Sequence, residues 1–137
     1  MFSAFLVVAL TLAAPLPGRQ HGASVVADAG ADYRHLGATP PPHGLPEIRS
    51  VWVSTTNIRA GSTVSGRVET SDNVAYVEAR IEYRAAAMHR DGNGRFSIDY
   101  KVPWWLPPWL RHAYTVQVIA RSVDGVELWR PLAIVVH

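Results

Sequence analysis

The chain has 137 residues, no cysteine, and 13 basic against 11 acidic side chains, which leaves a formal charge of +2. This length allows one compact domain and little more. Ten glycines, ten prolines and a charged fraction of 18% argue against a coiled coil, while 48% hydrophobic residues argue against wholesale disorder. A turn-rich β-domain is therefore expected.

The small basic excess does not predict a nucleic-acid partner. Twelve of the 13 basic residues are arginine, Lys101 is the one lysine, and no two of them are adjacent. Phosphate binding favours clustered basic residues, because affinity rises with the number of phosphate charges neutralised. Acidic residues are interleaved with the basic ones along the same segments. We therefore expect no nucleic-acid binding.

The N-terminal segment resembles a secretory signal. Residues 2–14, FSAFLVVALTLAA, form an uncharged apolar run that is too short to span a bilayer comfortably. No basic residue precedes the run, Pro15 follows it, and small-x-small cleavage patterns occur near residues 27–31. We predict a signal peptide over residues 1–29 and export to the periplasm or the outside, with no transmembrane anchor after cleavage. The alternative is an apolar strand or helix packed on the domain.

A proline-rich spacer is predicted next, over residues 30–46. It contains the run Thr39-Pro40-Pro41-Pro42, and consecutive prolines hold extended dihedrals and lack amide donors. Such a segment could also dock on an aromatic groove. The domain itself is predicted over residues 47–137.

From residue 47 onward the dominant hydrophobic period is two, which is typical of half-buried strands. Apolar and polar residues alternate in the segments 64–70, 77–84, 96–102 and 114–121. A first strand near 48–54, a short segment at 85–89 and a last strand near 127–136 make seven, and turn residues fall between them at 57–61, 71–73, 91–94 and 123–125. Strands that bury one side only are satisfied by two antiparallel sheets stacked face to face.

The run from Gly94 to Gly125 resembles the second half of immunoglobulin-like and fibronectin-type-III-like modules of exported bacterial proteins. The shared features are a Gly-x-Phe opening at Gly94, a Val-Pro at Pro103, a Tyr-x-Val-x-Val-x-Ala strand at Tyr114, and the Asp124-Gly125 hairpin. The resemblance implies a seven-stranded antiparallel immunoglobulin-like Greek-key sandwich. It also implies that the Tyr114 hydroxyl bonds upstream backbone near Leu110, as in a tyrosine corner.

Two departures argue against an antibody-type domain. The chain has no cysteine pair for an inter-sheet disulfide, and no tryptophan falls in the expected third strand, 74–84. The motifs that carry the resemblance are structural, and this sandwich hosts unrelated activities. The resemblance therefore predicts the fold rather than the function.

The segment WWLPPW, residues 104–109, holds three of the five tryptophans: Trp104, Trp105 and Trp109. Prolines stiffen it, and indole rings supply large contact areas at low entropic cost, as in interface hot spots and sugar-stacking platforms. The commoner outcome for loop aromatics is to fold back and cap a small core. The three alternatives are thus a core cap, a protein contact surface and a carbohydrate or other ligand site.

No metal, cofactor or catalytic site is predicted. The histidines show no local ligand spacing, although they could converge in space, and they are His21, His35, His43, His89, His112 and His137. The run Asp91-Gly92-Asn93-Gly94 lacks the later carboxylates of a calcium loop and precedes a strand, so it predicts a hairpin. No nucleophile motif is present, and Glu78 and Glu82 lie on a polar strand face where cross-strand pairing explains them.

The function expected from the sequence is that of an exported, non-enzymatic module that acts by contact. Its partner is expected to be another protein or a cell-envelope component, met through the tryptophan segment. The alternative is a carrier of a small ligand, a carbohydrate or a metal that uses the loop tryptophans or the histidines.

Overall fold

The computed structural model of the chain describes residues 23–26, 32–34 and 41–137. The apolar run at residues 2–14, the candidate cleavage sites near 27–31, and most of the predicted spacer before Pro41 lie outside the described residues. His21 and His35 lie outside them as well.

The described chain is all-β, with two antiparallel sheets and one short 3₁₀ turn. The strands are β1 (Ala23–Val26), β2 (Asp32–Arg34), β3 (Ile48–Val53), β4 (Asn57–Ile58), β5 (Thr63–Thr70), β6 (Val74–Ile81), β7 (Arg84–Ala87), β8 (His89–Gly92), β9 (Arg95–Lys101), β10 (Ala113–Ser122) and β11 (Glu127–Val136). Sheet A has the order β1-β3-β5-β9-β8, and sheet B has the order β2-β11-β10-β6-β7. The short β4 pairs in parallel with the end of β11.

The predicted alternation is confirmed in β5 and β9. Val68 and Phe96 are each 2% exposed, whereas their chain neighbours Arg67 and Arg95 are exposed. The inward-facing residues of both sheets form one hydrophobic cluster. Because one sheet face is apolar and the other polar, the two sheets bury their apolar faces against each other in a sandwich-like arrangement.

The strand count differs from the sequence-based expectation. Residues 47–137 contain nine strands where the sequence predicts seven. The predicted segment 85–89 belongs to two strands, because the chain crosses from sheet B to sheet A at Met88, whose amide donates to the Val77 carbonyl at 2.9 Å. The other additional strand is β4, which has only two residues.

Tyr83 was expected on the apolar face of the third strand and is instead 84% exposed. β6 ends at Ile81, and the turn to β7 is made by Glu82, with a φ of 53°, and Tyr83. Both turn residues lie beyond the last pair of the hairpin, Ile81 and Arg84, so Tyr83 belongs to neither sheet face.

Two further strands lie in segments that the sequence assigns elsewhere. β1 falls within the predicted signal peptide and pairs with β3, and β2 falls within the predicted spacer and pairs with β11. The Tyr33 hydroxyl of β2 donates to the Pro46 carbonyl at 3.0 Å. Residues 32–34, which fall in the predicted spacer, are therefore extended because they pair with the edge of sheet B.

One end of the sandwich is tightly closed. We call it the closed end, and it comprises the residues 43–47 before β3 and the turns 71–73, 91–94 and 123–126. These segments bond to one another: Ser71 N to Glu47 O at 2.9 Å, Thr70 N to Gly94 O at 2.8 Å, and Val123 N to Asn73 O at 2.9 Å. Gly94 and Gly125 have positive φ values of 69° and 87°.

Candidate binding site at the open end of the sandwich

The opposite end of the sandwich holds a cavity of about 540 Å³ between the two sheets. We call this end the open end, and its connecting segments are 59–62, 82–86 and 101–111. The cavity lies between the hydrophobic core and the open end. The β6–β7 hairpin bounds it on one side, and the segment after β9 bounds it on the other. Its volume falls within the range of about 300–1,000 Å³ that is usual for ligand sites.

The cavity walls are mainly apolar. The inward-facing residues that form them include Val51, Val53, Ile58, Val64, Val68, Ala79, Ile81, Met88, Ile98, Val102, Val116, Val118, Leu132, Ile134 and Val136. Polar side chains of the lining, such as Thr55, Glu82 and Arg84, belong to the turns and strand ends. The site therefore suits an apolar group that requires no hydrogen bonds in its depth.

The three tryptophans of the predicted loop are exposed. The exposed fractions of Trp104, Trp105 and Trp109 are 78%, 62% and 75%, so the core-cap alternative is wrong for these rings. Leu106, between them, is half-buried and packs against the core cluster instead. Three large exposed aromatic rings within six residues make this loop a candidate contact surface.

Hydrogen bonds fix the shape of this loop. The Tyr114 hydroxyl donates to the Leu110 carbonyl at 2.8 Å, which is the bond that the resemblance implied. The Arg111 guanidinium donates to the Leu106 carbonyl from Nε and Nη2, at 3.0 and 2.8 Å. Pro108–Leu110 form a 3₁₀ turn, in which the amides of Leu110 and Arg111 donate to the carbonyls of Pro107 and Pro108, each at 3.0 Å. The loop that carries the exposed tryptophans is thus fixed by hydrogen bonds.

A second turn supports the loop from the side of β5. The amide of Gly61 donates to the Val102 carbonyl at 3.0 Å, and the amide of Val102 donates to the Ser62 carbonyl at 2.8 Å. The space where a Cβ of Gly61 would lie is 3.5 Å from the Cβ of Trp104. Pro103, which the resemblance places where the strand leaves the sheet, lines the cavity between these contacts.

The described histidines do not form a metal site. His43 Nδ1 lies 2.9 Å from Asp124 Oδ1, His89 is 3.8 Å from Asp91, and the His112 ring lies beside that of Tyr114. Over residues 23–26, 32–34 and 41–137, no three metal-ligating side chains come together. The bond from His43 lowers the pKa of the Asp124 carboxyl below its ordinary value, since it stabilises the charged form.

The outer face of sheet B carries a paired charge network. Glu78 accepts from Arg80 at 2.6 Å and from the Tyr76 hydroxyl at 2.9 Å, so its partner is on its own strand rather than across the sheet. This bond raises the pKa of Tyr76. Arg121 pairs with Glu127, which lowers the pKa of the Glu127 carboxyl. Each of these charges has a partner, which is typical of a structural face.

Comparison of the chain with known proteins found no matching family model, no similar curated protein and no similar solved structure. Within the described ranges, no helix has the length and apolar composition needed to cross a membrane.

The sequence identified the tryptophan loop but not the cavity beside it. Val64, Ile98 and Val136 read as ordinary core residues because they continue the alternation of their strands, yet all three are only half-buried. Periodicity gives the face on which a side chain lies and carries no information on whether the facing sheet fills the space opposite. The one available signal was the proline-rich connection itself, which keeps the sheet end from closing.

Proposed function

We propose that this chain is an exported, non-enzymatic binding module that acts by contact at its open end. The exposed tryptophans form the contact surface, and the cavity beside them receives an apolar group of the partner. The observation that carries this proposal is that Pro103, Leu106 and Leu110, from the loop that exposes the three indole rings, line an apolar cavity of about 540 Å³.

We also propose that the domain is immunoglobulin-like. In such sandwiches one sheet has the strand order A-B-E-D and the other contains C, F and G. The order β3-β5-β9-β8 in sheet A and the order β7-β6-β10-β11 in sheet B are compatible with this pattern. The bond from Tyr114 to Leu110 adds support, because it is the geometry of a tyrosine corner.

Export is part of the proposal and rests on the apolar N-terminal run. Cleavage near residues 27–31 would remove β1 and leave β3 as the edge of sheet A. The mass of the protein recovered outside the cytoplasm tests this directly. The expected mass is that of a chain whose first residue lies near 27–31. An intact Met1 in that fraction contradicts cleavage.

The pocket is tested with the neutral apolar dye N-phenylnaphthylamine, whose fluorescence rises on leaving water. Saturable binding is expected, with one dye per chain. The variant Ala86→Trp should abolish it, because Ala86 lines the cavity and an indole there would occupy the space. Ala87→Trp is the matched control, since Ala87 is the next residue of β7, is exposed and lies outside the lining.

A dye signal that survives in Ala86→Trp, or that is lost equally in both variants, contradicts binding in the cavity. Equal thermal stability of the two variants is the control for folding. A second candidate, a carrier of a free small apolar ligand, is favoured by the same cavity volume. The two differ in the loop: the carrier keeps its function when Trp104 and Trp109 are replaced by alanine, and the contact module loses it.

A further inference from the structure

We propose that the partner of the open end is the surface of an anionic lipid bilayer, with one acyl chain entering the cavity. This inference rests on the proposed function and names the chemistry of the partner. Three features of the described residues support it: the charge of the open-end segments, its contrast with the closed end, and the kind of residues that the loop exposes.

The open-end segments are basic. The connections 59–62, 82–86 and 101–111 contain four cationic side chains, Arg59, Arg84, Lys101 and Arg111, against one acidic side chain, Glu82. Arg84 and Glu82 line the cavity mouth. The other three cations belong to connections at the same end. Arg59 comes two residues before Gly61, which contacts Trp104, and Lys101 comes directly before Val102. Arg111 donates to the Leu106 carbonyl.

The closed-end segments have the opposite charge. The residues 43–47, 71–73, 91–94 and 123–126 contain Glu47, Asp72, Asp91 and Asp124 and no arginine or lysine. Arg90 reaches this end from β8, where it donates to Asn93 at 3.1 Å, and the Arg95 guanidinium lies against Gly92, so these two cations offset part of the charge. The sandwich therefore has an axial charge asymmetry, and an anionic surface attracts its open end and repels its closed end.

The exposed loop residues match the chemistry of a bilayer interface. Tryptophan is enriched where hydrocarbon meets headgroups, because its ring is apolar and its N–H remains hydrogen-bonded. Trp104, Trp105 and Trp109 are all more than half exposed, and Leu110 beside them is 39% exposed. A protein partner would accept aromatic rings equally well, but the surrounding arginines and lysine match phosphate-bearing lipid headgroups over an extended plane.

The cavity completes the argument because its wall is apolar where an acyl chain would lie. Ile81, Ile98 and Leu106 line it on the side of the mouth, where Arg84 also belongs to the lining. Membrane association that lasts requires two signals, an apolar insertion and electrostatic attraction. The open end supplies both within one group of connected segments.

The experiment measures co-sedimentation of the exported protein, as recovered outside the cytoplasm, with vesicles. One set of vesicles is phosphatidylcholine alone, and the other is phosphatidylcholine mixed with phosphatidylglycerol. Binding is expected with the anionic vesicles, together with a blue shift of tryptophan emission as the loop leaves water. The binding should weaken as salt is added, because exposed charges are screened.

Two matched triple variants separate local charge from net charge. The variant Arg59→Gln/Lys101→Gln/Arg84→Gln removes three open-end cations and should weaken binding by about 100-fold, at roughly fivefold for each charge near the surface. The variant Arg49→Gln/Arg90→Gln/Arg95→Gln removes the same charge from strand residues away from the open end. Its binding should change by less than about threefold, since these residues lie farther from the bilayer than a Debye length of about 10 Å.

Several outcomes overturn the proposal. Equal binding to neutral and anionic vesicles, or equal losses in the two triple variants, contradicts charge recognition by the open end. Binding of the dye without binding of either vesicle refutes the lipid surface and leaves the proposed function intact, whereas loss of both refutes the two together. A dimer in sedimentation velocity that disappears in Trp104→Ala/Trp109→Ala would show that a second copy covers the loop.

Discussion

The two ends of the sandwich are built from the same strands and differ in how completely they are packed. At the closed end, Val74, Val77 and Val126 have no measurable exposure. At the open end, inward-facing residues such as Val64 and Ile81 are only half-buried and line a cavity. One alternating pattern can therefore fill the core at one end of a strand and leave a cavity at the other.

The connections explain this difference. Closed-end turns are short and bond to one another, as in the bonds from Ser71 to Glu47 and from Thr70 to Gly94. At the open end the chain after β9 takes a longer path through Pro103, Pro107 and Pro108 before it enters β10. Prolines lack amide donors, so this segment cannot join a sheet and hold the two layers together.

The largest expected effect compares two aromatic residues of β9 on the same face. Phe96, toward the closed end, is 2% exposed, and Tyr100, toward the open end, is 49% exposed. Phe96→Ala should lower the free energy of unfolding by about 3–5 kcal/mol, because it leaves a void in a filled core. Tyr100→Ala should cost about 1 kcal/mol. Urea denaturation measures both, and equal losses would show that the two ends are packed alike.

A smaller effect is expected from two turn glycines with positive φ. Gly94 has a φ of 69°, and a Cβ there would lie 2.5 Å from the Thr70 carbonyl oxygen. Gly94→Ala should therefore destabilise by about 2–3 kcal/mol, from left-handed strain and disruption of the bond to Thr70.

Gly61 is its counterpart at the open end, with a φ of 85° and only an ordinary contact to Trp104. Gly61→Ala should cost about 1 kcal/mol, from backbone strain alone. Thermal melts of both variants measure the two losses of stability. A larger loss in Gly61→Ala than in Gly94→Ala would contradict the expected difference between the two ends.

The smallest expected effect is the pH dependence of the closed end. The bond from His43 holds the pKa of Asp124 below its ordinary value, so the folded state favours the carboxylate more than the unfolded state does. The carboxylate therefore contributes stability above the unfolded-state pKa of about 3.9, and this is lost as the pH falls through the lower folded-state pKa.

The stability difference between wild type and Asp124→Asn should thus be largest near neutral pH and should shrink in acid. Asp72→Asn, in a neighbouring turn, is the control for loss of a negative charge at the same end. A difference that stays constant down to strongly acid pH would mean that Asp124 acts through its shape rather than its charge.

Much of the local structure was predictable because it depends on near neighbours. The alternation in β5, β9 and β10 gave their buried faces, and the bond from Tyr114 to Leu110 spans only four positions. The crossing at Met88 was missed because it depends on pairing with distant strands. The burial of Ile119 on the polar face of β10 was missed for the same reason, since its neighbours Glu78 and Trp129 come from two other strands.

The all-β class, the inward face of most main strands and the position of the aromatic loop follow from periodicity and turn chemistry, which are local properties of the chain. Three features follow from long-range packing: Trp104, Trp105 and Trp109 are exposed, a cavity remains at the open end, and basic and acidic turns collect at opposite ends. Those features depend on how far apart two sheets lie and on which turns share an end. Both are set by packing between residues that are distant along the chain.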